Sequence, residues 1–106
     1  MIENVYDDRT EWHLDGVLHR DDGPAVVYVH GTKAWYKYDK LHKVDGPAVV
    51  WADGSKFWFI DDKRHRDDGP AVVWSTGTKE WWLNGRKYIR DEFILLQFSK
   101  GIIIDE

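Results

Sequence analysis

Asp22-Gly23-Pro24-Ala25-Val26-Val27 returns as Asp45-Gly46-Pro47-Ala48-Val49-Val50 and again as Asp68-Gly69-Pro70-Ala71-Val72-Val73, a step of 23 residues with nothing inserted or lost. The same step carries Trp12 to Trp35, Trp58 and Trp81, carries His19 to His42, His65 and Tyr88, and carries Lys33 to Lys56 and Lys79. Extended backwards, it sets Ile2 through Tyr6 on the positions of Ala25 through Val29, so the array begins near residue 2.

Each unit reads as a β-hairpin. A first run (Ala25 to Val29, Ala48 to Ala52, Ala71 to Ser75) opens after Gly-Pro, where a missing amide donor is tolerated at a strand start. A second, aromatic run follows (Lys33 to Tyr38, Lys56 to Ile60, Lys79 to Leu83). The connections His30-Gly31-Thr32, Asp53-Gly54-Ser55 and Thr76-Gly77-Thr78 are short, polar and glycine-bearing, as hairpin loops are. Return turns are expected at Asp15-Gly16, Asp39-Lys40, Asp61-Asp62 and Asn84-Gly85, and each Asp before Gly-Pro can cap its own turn.

Loop length decides which side chains share a face. With a two-residue loop at Asp53-Gly54, Trp51 lies opposite Lys56, Val49 opposite Trp58 and Ala48 opposite Phe59. One face then carries Tyr28, Trp51, Trp74, Trp35, Trp58 and Trp81 beside Lys33, Lys56 and Lys79. The other carries Ala25, Ala48, Ala71, Val27, Val50 and Val73 with Tyr36, Phe59 and Trp82. A three-residue loop would mix these columns. Aromatics on both faces require a covering element, a curled sheet or a second subunit.

One covering element is visible. From Arg90, acids at Asp91 and Glu92, an apolar stripe of Phe93, Ile94, Leu96 and Phe98, then Lys100 and Gly101 predict a short helix that closes the array. The tail Ile102-Ile103-Ile104 is expected to add a strand or seal a dimer. The expected fold is mainly β: one domain over residues 1–106, with about three and a half antiparallel hairpin repeats over 2–89 in a single sheet, and a helical cap and tail over 90–106.

Composition sets the outer bounds. With 106 residues, there is no room for a catalytic domain plus a regulatory one. Aromatics at 15% exclude disorder, and a net charge of −4 argues against generic nucleic-acid binding by phosphate neutralisation. No Cys is present, so disulfides and thiolate chemistry are excluded. Without a signal-like N-terminus or a long apolar window, the expectation is a cytoplasmic protein with no membrane insertion.

The segment Trp81-Trp82-Leu83-Asn84-Gly85-Arg86 and the 23-residue spacing resemble a MORN-type repeat. His65-Arg66-Asp67-Asp68-Gly69-Pro70-Ala71 is closer still to a variant found in small phage, giant-virus and bacterial proteins. Lys43-Val44 departs from the Arg-acid pair of that variant. The resemblance covers residues 2–89 and implies hairpins laid side by side, a scaffolding or binding role and no enzyme activity. It also implies a phage-encoded antagonist of a host defence factor, acting in the host cytoplasm.

Candidate chemistry is weighed against repetition. His19, His42 and His65 stand about 10 Å apart at two strands per unit, too far to share one metal ion, so no metal site or cofactor is expected. The carboxylate pairs Asp7-Asp8, Asp21-Asp22, Asp61-Asp62 and Asp67-Asp68 fall in copied turns, whereas catalytic groups are unique. Trp12, Trp35 and Trp81, with Gly23, Pro24, Gly46, Pro47, Gly69 and Pro70, read as the structural repeat. A binding surface is expected from Tyr28, Trp51, Trp58 and Trp74 with Lys33, Lys56 and Lys79, joined by a basic column of Arg20, Lys43 and Arg66 that continues to Arg90. Its occupant is a host protein or, alternatively, a small anionic ligand such as a signalling nucleotide, held by the chain alone or across a homodimer.

Overall fold

The computed structural model describes residues 1–104, so Asp105 and Glu106 of the expected tail lie outside the described residues. The chain is mainly β, in antiparallel sheets, with one short C-terminal helix. The first unit contains β1 (Ile2–Val5), β2 (Arg9–Leu14) and β3 (Val17–Leu18). The second contains β4 (Val26–Tyr28), β5 (Lys33–Ala34), β6 (Tyr36–Lys37) and β7 (Lys40–Leu41). The third contains β8 (Val49–Val50), β9 (Lys56–Phe57), β10 (Phe59–Ile60) and β11 (Lys63–Arg64). The fourth contains β12 (Val72–Val73), β13 (Lys79–Leu83) and β14 (Arg86–Tyr88), and α1 (Arg90–Ser99) follows.

The main sheet runs β1-β2-β4-β5-β8-β9-β12-β13-β14, with β3 on β2, while β6-β7 and β10-β11 form hairpins of their own. Each inner unit therefore has a front hairpin and a back hairpin. The aromatic run expected to be one strand is interrupted at Trp35 and Trp58, and it is continuous only at the ends, in β2 and β13.

The front loops hold three residues, which corrects the two-residue register. Val50 pairs with Lys56 and Val49 with Phe57. The Trp51 N–H donates to the Ser55 carbonyl at 2.9 Å, and the Gly54 N–H turns back to the Trp51 carbonyl at 3.0 Å. Gly54 supplies the left-handed residue (φ +94°) that a three-residue loop of this kind needs. Tyr28 and Trp74 make the equivalent bonds to Thr32 and Thr78. The slip of one residue moves every partner to the other face. Tyr28, Trp51 and Trp74 thus join Val26, Val49, Val72, Ala34 and Phe57, while Lys33, Lys56 and Lys79 share the opposite face with Val27, Val50 and Val73.

The first hairpin breaks the period. Val5 pairs with Thr10, and the Tyr6 N–H reaches the Arg9 carbonyl at 2.8 Å around a two-residue loop, Asp7-Asp8, that has no glycine. β1 is slid by one residue relative to β4, so Asn4 comes within 2.9 Å of His13 Nδ1.

Back turns keep the period strictly. Positive φ occurs in pairs at Asp15-Gly16, Tyr38-Asp39, Asp61-Asp62 and Asn84-Gly85, the pattern of type I′ hairpin turns. The second-unit turn is therefore Tyr38-Asp39 rather than Asp39-Lys40. Asp tolerates this conformation and is useful there: Asp62 Oδ1 accepts the Leu41 N–H of the preceding unit at 2.7 Å, and Asp39 is placed likewise for Leu18 at 3.4 Å.

Lateral bonds stitch unit to unit. His19, His42 and His65 accept on Nδ1 the backbone N–H of Tyr38, Asp61 and Asn84, at 3.0, 3.2 and 2.9 Å. At the front edge the buried hydroxyls of Thr32 and Ser55 accept the N–H of Ala52 and Ser75 at 3.0 and 2.9 Å. The core cluster of Val26, Ala34, Val49, Phe57 and Val72 is backed by Leu18, Tyr28, Tyr36, Leu41, Phe59 and Trp82. Burying each Val contributes roughly 1.5–3 kcal/mol.

Helix α1 closes the last unit. Phe93 and Gln97 are its buried residues, four apart on one face, and Gln97 donates to the Asp67 carbonyl at 2.7 Å. The expected stripe is only partly buried, since Leu96 and Phe98 face outward. Gly101 (φ +78°) ends the helix, with the Ile102 N–H bonded to the Gln97 carbonyl and the Gly101 N–H to that of Phe98. Ile102, Ile103 and Ile104 form no strand.

Candidate functional site

One set of expected binding residues is used internally. The Arg20 guanidinium lies 3.9 Å from the Trp12 ring centre, the Lys43 ammonium 4.1 Å from that of Trp35, and the Arg66 guanidinium 4.2 Å from that of Trp58. Arg20 Nε bonds Asp22 and its terminal nitrogen bonds the Pro24 carbonyl; Arg66 repeats both contacts with Asp68 and Pro70. The clamp explains a glycine: a Cβ on Gly23 would stand 3.0 Å from Arg20 Cζ. Arg20 and Arg66 thus tie Trp12 and Trp58 to the Asp-Gly-Pro turns at 22–24 and 68–70. Arg90 does not continue this column. The position one step beyond Arg66 is Ile89, and Arg90 sits at the helix start near Asp91.

Clefts of about 680 and 600 Å³ lie between successive Asp-Gly-Pro turns. Of the cations that line them, Arg20, Lys43 and Arg66 already stack on indole rings while Lys37 does not, and Asp22 and Asp68 already pair with Arg20 and Arg66. Size alone does not make them sites.

The opposite face offers more chemistry. Phe57 stands edge-on between Trp51 and Trp74, with ring centres at 5.4 and 5.0 Å. One unit earlier the equivalent residue is Ala34, flanked in the same way by Tyr28 and Trp51. No ring fills that position, and a cavity of about 340 Å³ opens there, lined in front by Tyr28, His30, Thr32, Ala34, Val49, Trp51 and Phe57 and behind by Tyr36, Leu41, Phe59 and Arg64. Trp51, one of these lining residues, is 41% exposed. Burial pushes the Tyr36 hydroxyl above its ordinary pKa, with Tyr28 and nearby carboxylates adding to the effect, so this hydroxyl stays un-ionised at neutral pH.

Arg64 is the one cation in this lining. Its predecessors in the repeat are Leu18 and Leu41, both partly buried against the core. The guanidinium lies 5.0 Å from the Trp82 ring centre and 5.6 Å from that of Phe57. Arg64 Nε is buried, with no hydrogen-bond partner among the described residues. Glu80, beyond it, accepts the indole N–H groups of Trp82 at 2.9 Å and Trp74 at 3.3 Å. Burial raises the Glu80 pKa, but the two indole bonds together with Lys87 and Arg64 prevail and hold it below the usual carboxylate range.

The structure thus divides the expected surface in two. Tyr28, Trp51 and Trp74 lie on the slot face; Lys33, Lys56 and Lys79 lie across the sheet from them, with Trp58 clamped by Arg66 on that side. Ala34, Phe57 and Arg64 were not singled out from the sequence. The signal was present in the 23-residue columns, where Ala34 stands against Phe57 and Arg64 against Leu18 and Leu41.

The copied carboxylates have local duties: Asp21 and Asp67 meet His19 and His65 at 2.8 and 2.9 Å. Among the described residues no group of three His, Asp or Glu side chains converges as a metal site, and no helix is long and apolar enough to cross a membrane. Comparison of the chain with family models, curated proteins and solved structures gave no match.

Proposed function

We propose that the chain is a non-enzymatic binding protein that holds a protein partner by seating one of the partner's aromatic side chains in the slot at Ala34. One observation carries this reading. The neighbouring slot is filled by the molecule's own Phe57 between Trp51 and Trp74, so the fold itself displays the occupant that the Tyr28–Trp51 slot lacks. Aromatic pairs in such edge-on geometry contribute about 0.5–1.5 kcal/mol beyond the area they bury, and a desolvated aromatic anchor is the usual centre of a protein interface. The likeness of the repeat to those of small phage proteins favours a bacterial host defence factor as the partner, met in the host cytoplasm.

Cross-linking and mass spectrometry of the tagged chain expressed in bacteria test the reading. A partner should be cross-linked through the slot face, and it should be lost with Ala34→Phe, which fills the slot, and with Trp51→Ala. Charge reversal at Lys33, Lys56 and Lys79 together should leave capture unchanged. Capture that survives Ala34→Phe but not the lysine reversal would overturn the assignment and transfer it to the opposite face.

A further inference from the structure

The slot has a chemical polarity that goes beyond its fit to a ring. Along one column of the repeat the side chain facing the core is Leu18, then Leu41, then Arg64, so a cation replaces a core aliphatic at the point where the cavity opens. Arg64 is half-buried, and its Nε is the buried donor; a buried N–H without an acceptor costs its desolvation. Arg64 is held against Phe57 and Trp82 by ring contacts, and its Nε has no hydrogen-bond partner among the described residues. Glu80 acts on Arg64 through charge but gives its Nε no hydrogen bond, its two oxygens accepting from the indoles of Trp74 and Trp82. No carboxylate is among the described residues that line the cavity. An apolar slot whose one cation keeps an unpaired Nε, with no carboxylate among its described lining residues, complements a ring with an anionic group beside it.

We infer that the partner's segment is acidic: an aromatic side chain enters between Tyr28 and Trp51, and an adjacent Asp or Glu carboxylate accepts from Arg64. This rests on the aromatic-slot reading above and adds the charge. The cavity of about 340 Å³ suits one ring and its neighbour rather than a long segment. Arg is suited to the role because its planar fork can bond a carboxylate in two places while stacking on rings.

Calorimetric titration of the intact protein with two peptides tests it: acetyl-Gly-Glu-Phe-Glu-Gly-amide and the same peptide with Gln for both Glu. The acidic peptide should bind at least tenfold more tightly, and raising the salt concentration should narrow the gap. Arg64→Leu restores the residue found in the two preceding units, so it should fold, with a melting temperature no lower than that of the parent. It should also erase the difference between the peptides. Equal affinities in the parent protein would overturn the acidic assignment and leave the ring slot standing. Failure of both peptides to bind at millimolar concentration would overturn both. Adenosine monophosphate is the third arm. Tighter binding of the nucleotide than of the acidic peptide, lost in Ala34→Phe, would overturn the inference in favour of a small anionic ligand.

Discussion

His65 accepts the backbone N–H of Asn84 on Nδ1 at 2.9 Å, while its Nε2 lies 2.9 Å from the Asp67 carboxylate. The first contact requires a lone pair on Nδ1, which places the proton on Nε2, where Asp67 accepts it. His19 repeats both contacts, at 3.0 Å to Tyr38 and 2.8 Å to Asp21, and is almost wholly buried. The ring is thus a rivet between a unit's own acidic turn and the next unit's back hairpin.

Substitution at His19 should separate these two duties. His19→Ala leaves the Tyr38 N–H without its acceptor and opens a cavity, a loss of about 2–4 kcal/mol. In His19→Asn the side-chain oxygen stands close to the position of Nδ1, so most of the backbone bond returns and the loss should be under about 2 kcal/mol. Urea denaturation of the two variants checks the order. Equal losses would mean that volume, not the acceptor, matters.

The second unit lacks part of this device and should be improvable. Val44 stands where Asp21 and Asp67 stand in the flanking units, and Lys43 replaces Arg. The double change Lys43→Arg and Val44→Asp supplies a Pro47 carbonyl contact like that of Arg20 to Pro24, and an acceptor for His42. A gain of about 1 kcal/mol is expected, read as a rise of several degrees in melting temperature.

Asp62 combines a left-handed backbone (φ +67°) with the bond to the Leu41 N–H. Asp62→Ala loses the bond and strains a Cβ-bearing residue with no compensating contact, a cost of about 2 kcal/mol. Asp62→Gly relieves the backbone while losing the bond and should fall within about 1 kcal/mol of the parent. Thermal melts that rank Gly below Ala would refute this account of the turn.

Glu80 links stability to pH. Its folded pKa is held below the ordinary value, so its contribution is present above the unfolded value of about 4.3 and is lost as pH falls through the folded value. The stability difference between the parent protein and Glu80→Gln should therefore be largest near neutrality and shrink below about pH 4. Denaturant titrations at pH 7 and pH 3 supply the comparison, and a gap that widens in acid would contradict the sign.

Ala34→Phe should stabilise the protein in the absence of any partner. The ring enters a position already shaped by Tyr28 and Trp51, as Phe57 does next door, and buried apolar area should add about 1–2 kcal/mol. A lowered melting temperature would show that the cavity does not have the shape of its neighbour.

The period, the hairpins, three of the four return turns and the closing helix were legible because each rests on residues that recur or cap locally, such as Gly23-Pro24, Asn84-Gly85 and Gly101, whereas the turn at Tyr38-Asp39 was displaced by one residue. The register was not. Ala52-Asp53-Gly54 satisfies a two-residue or a three-residue loop equally well by composition, and the choice depends on whether Trp51 bonds Ser55, which is set by packing along the stack. That single-residue ambiguity put Trp51 and Lys56 together on paper, whereas in the molecule they project from opposite sides. The slot was harder to see because it is marked by a small residue, Ala34, where attention falls on large ones.

The lateral contacts of the histidines, hydroxyls and turn carboxylates reach only to the adjoining unit, spanning 19 to 21 residues each time. Length is consequently a free parameter of this architecture. Duplicating residues 46–68 in frame would present each junction with the partners it already expects, leaving the slid first hairpin and the terminal helix in place. Such a chain would grow by roughly 10 Å per added unit along the stack, and with it the row of ring-lined positions would become a ruler whose gaps are set by where alanine replaces phenylalanine.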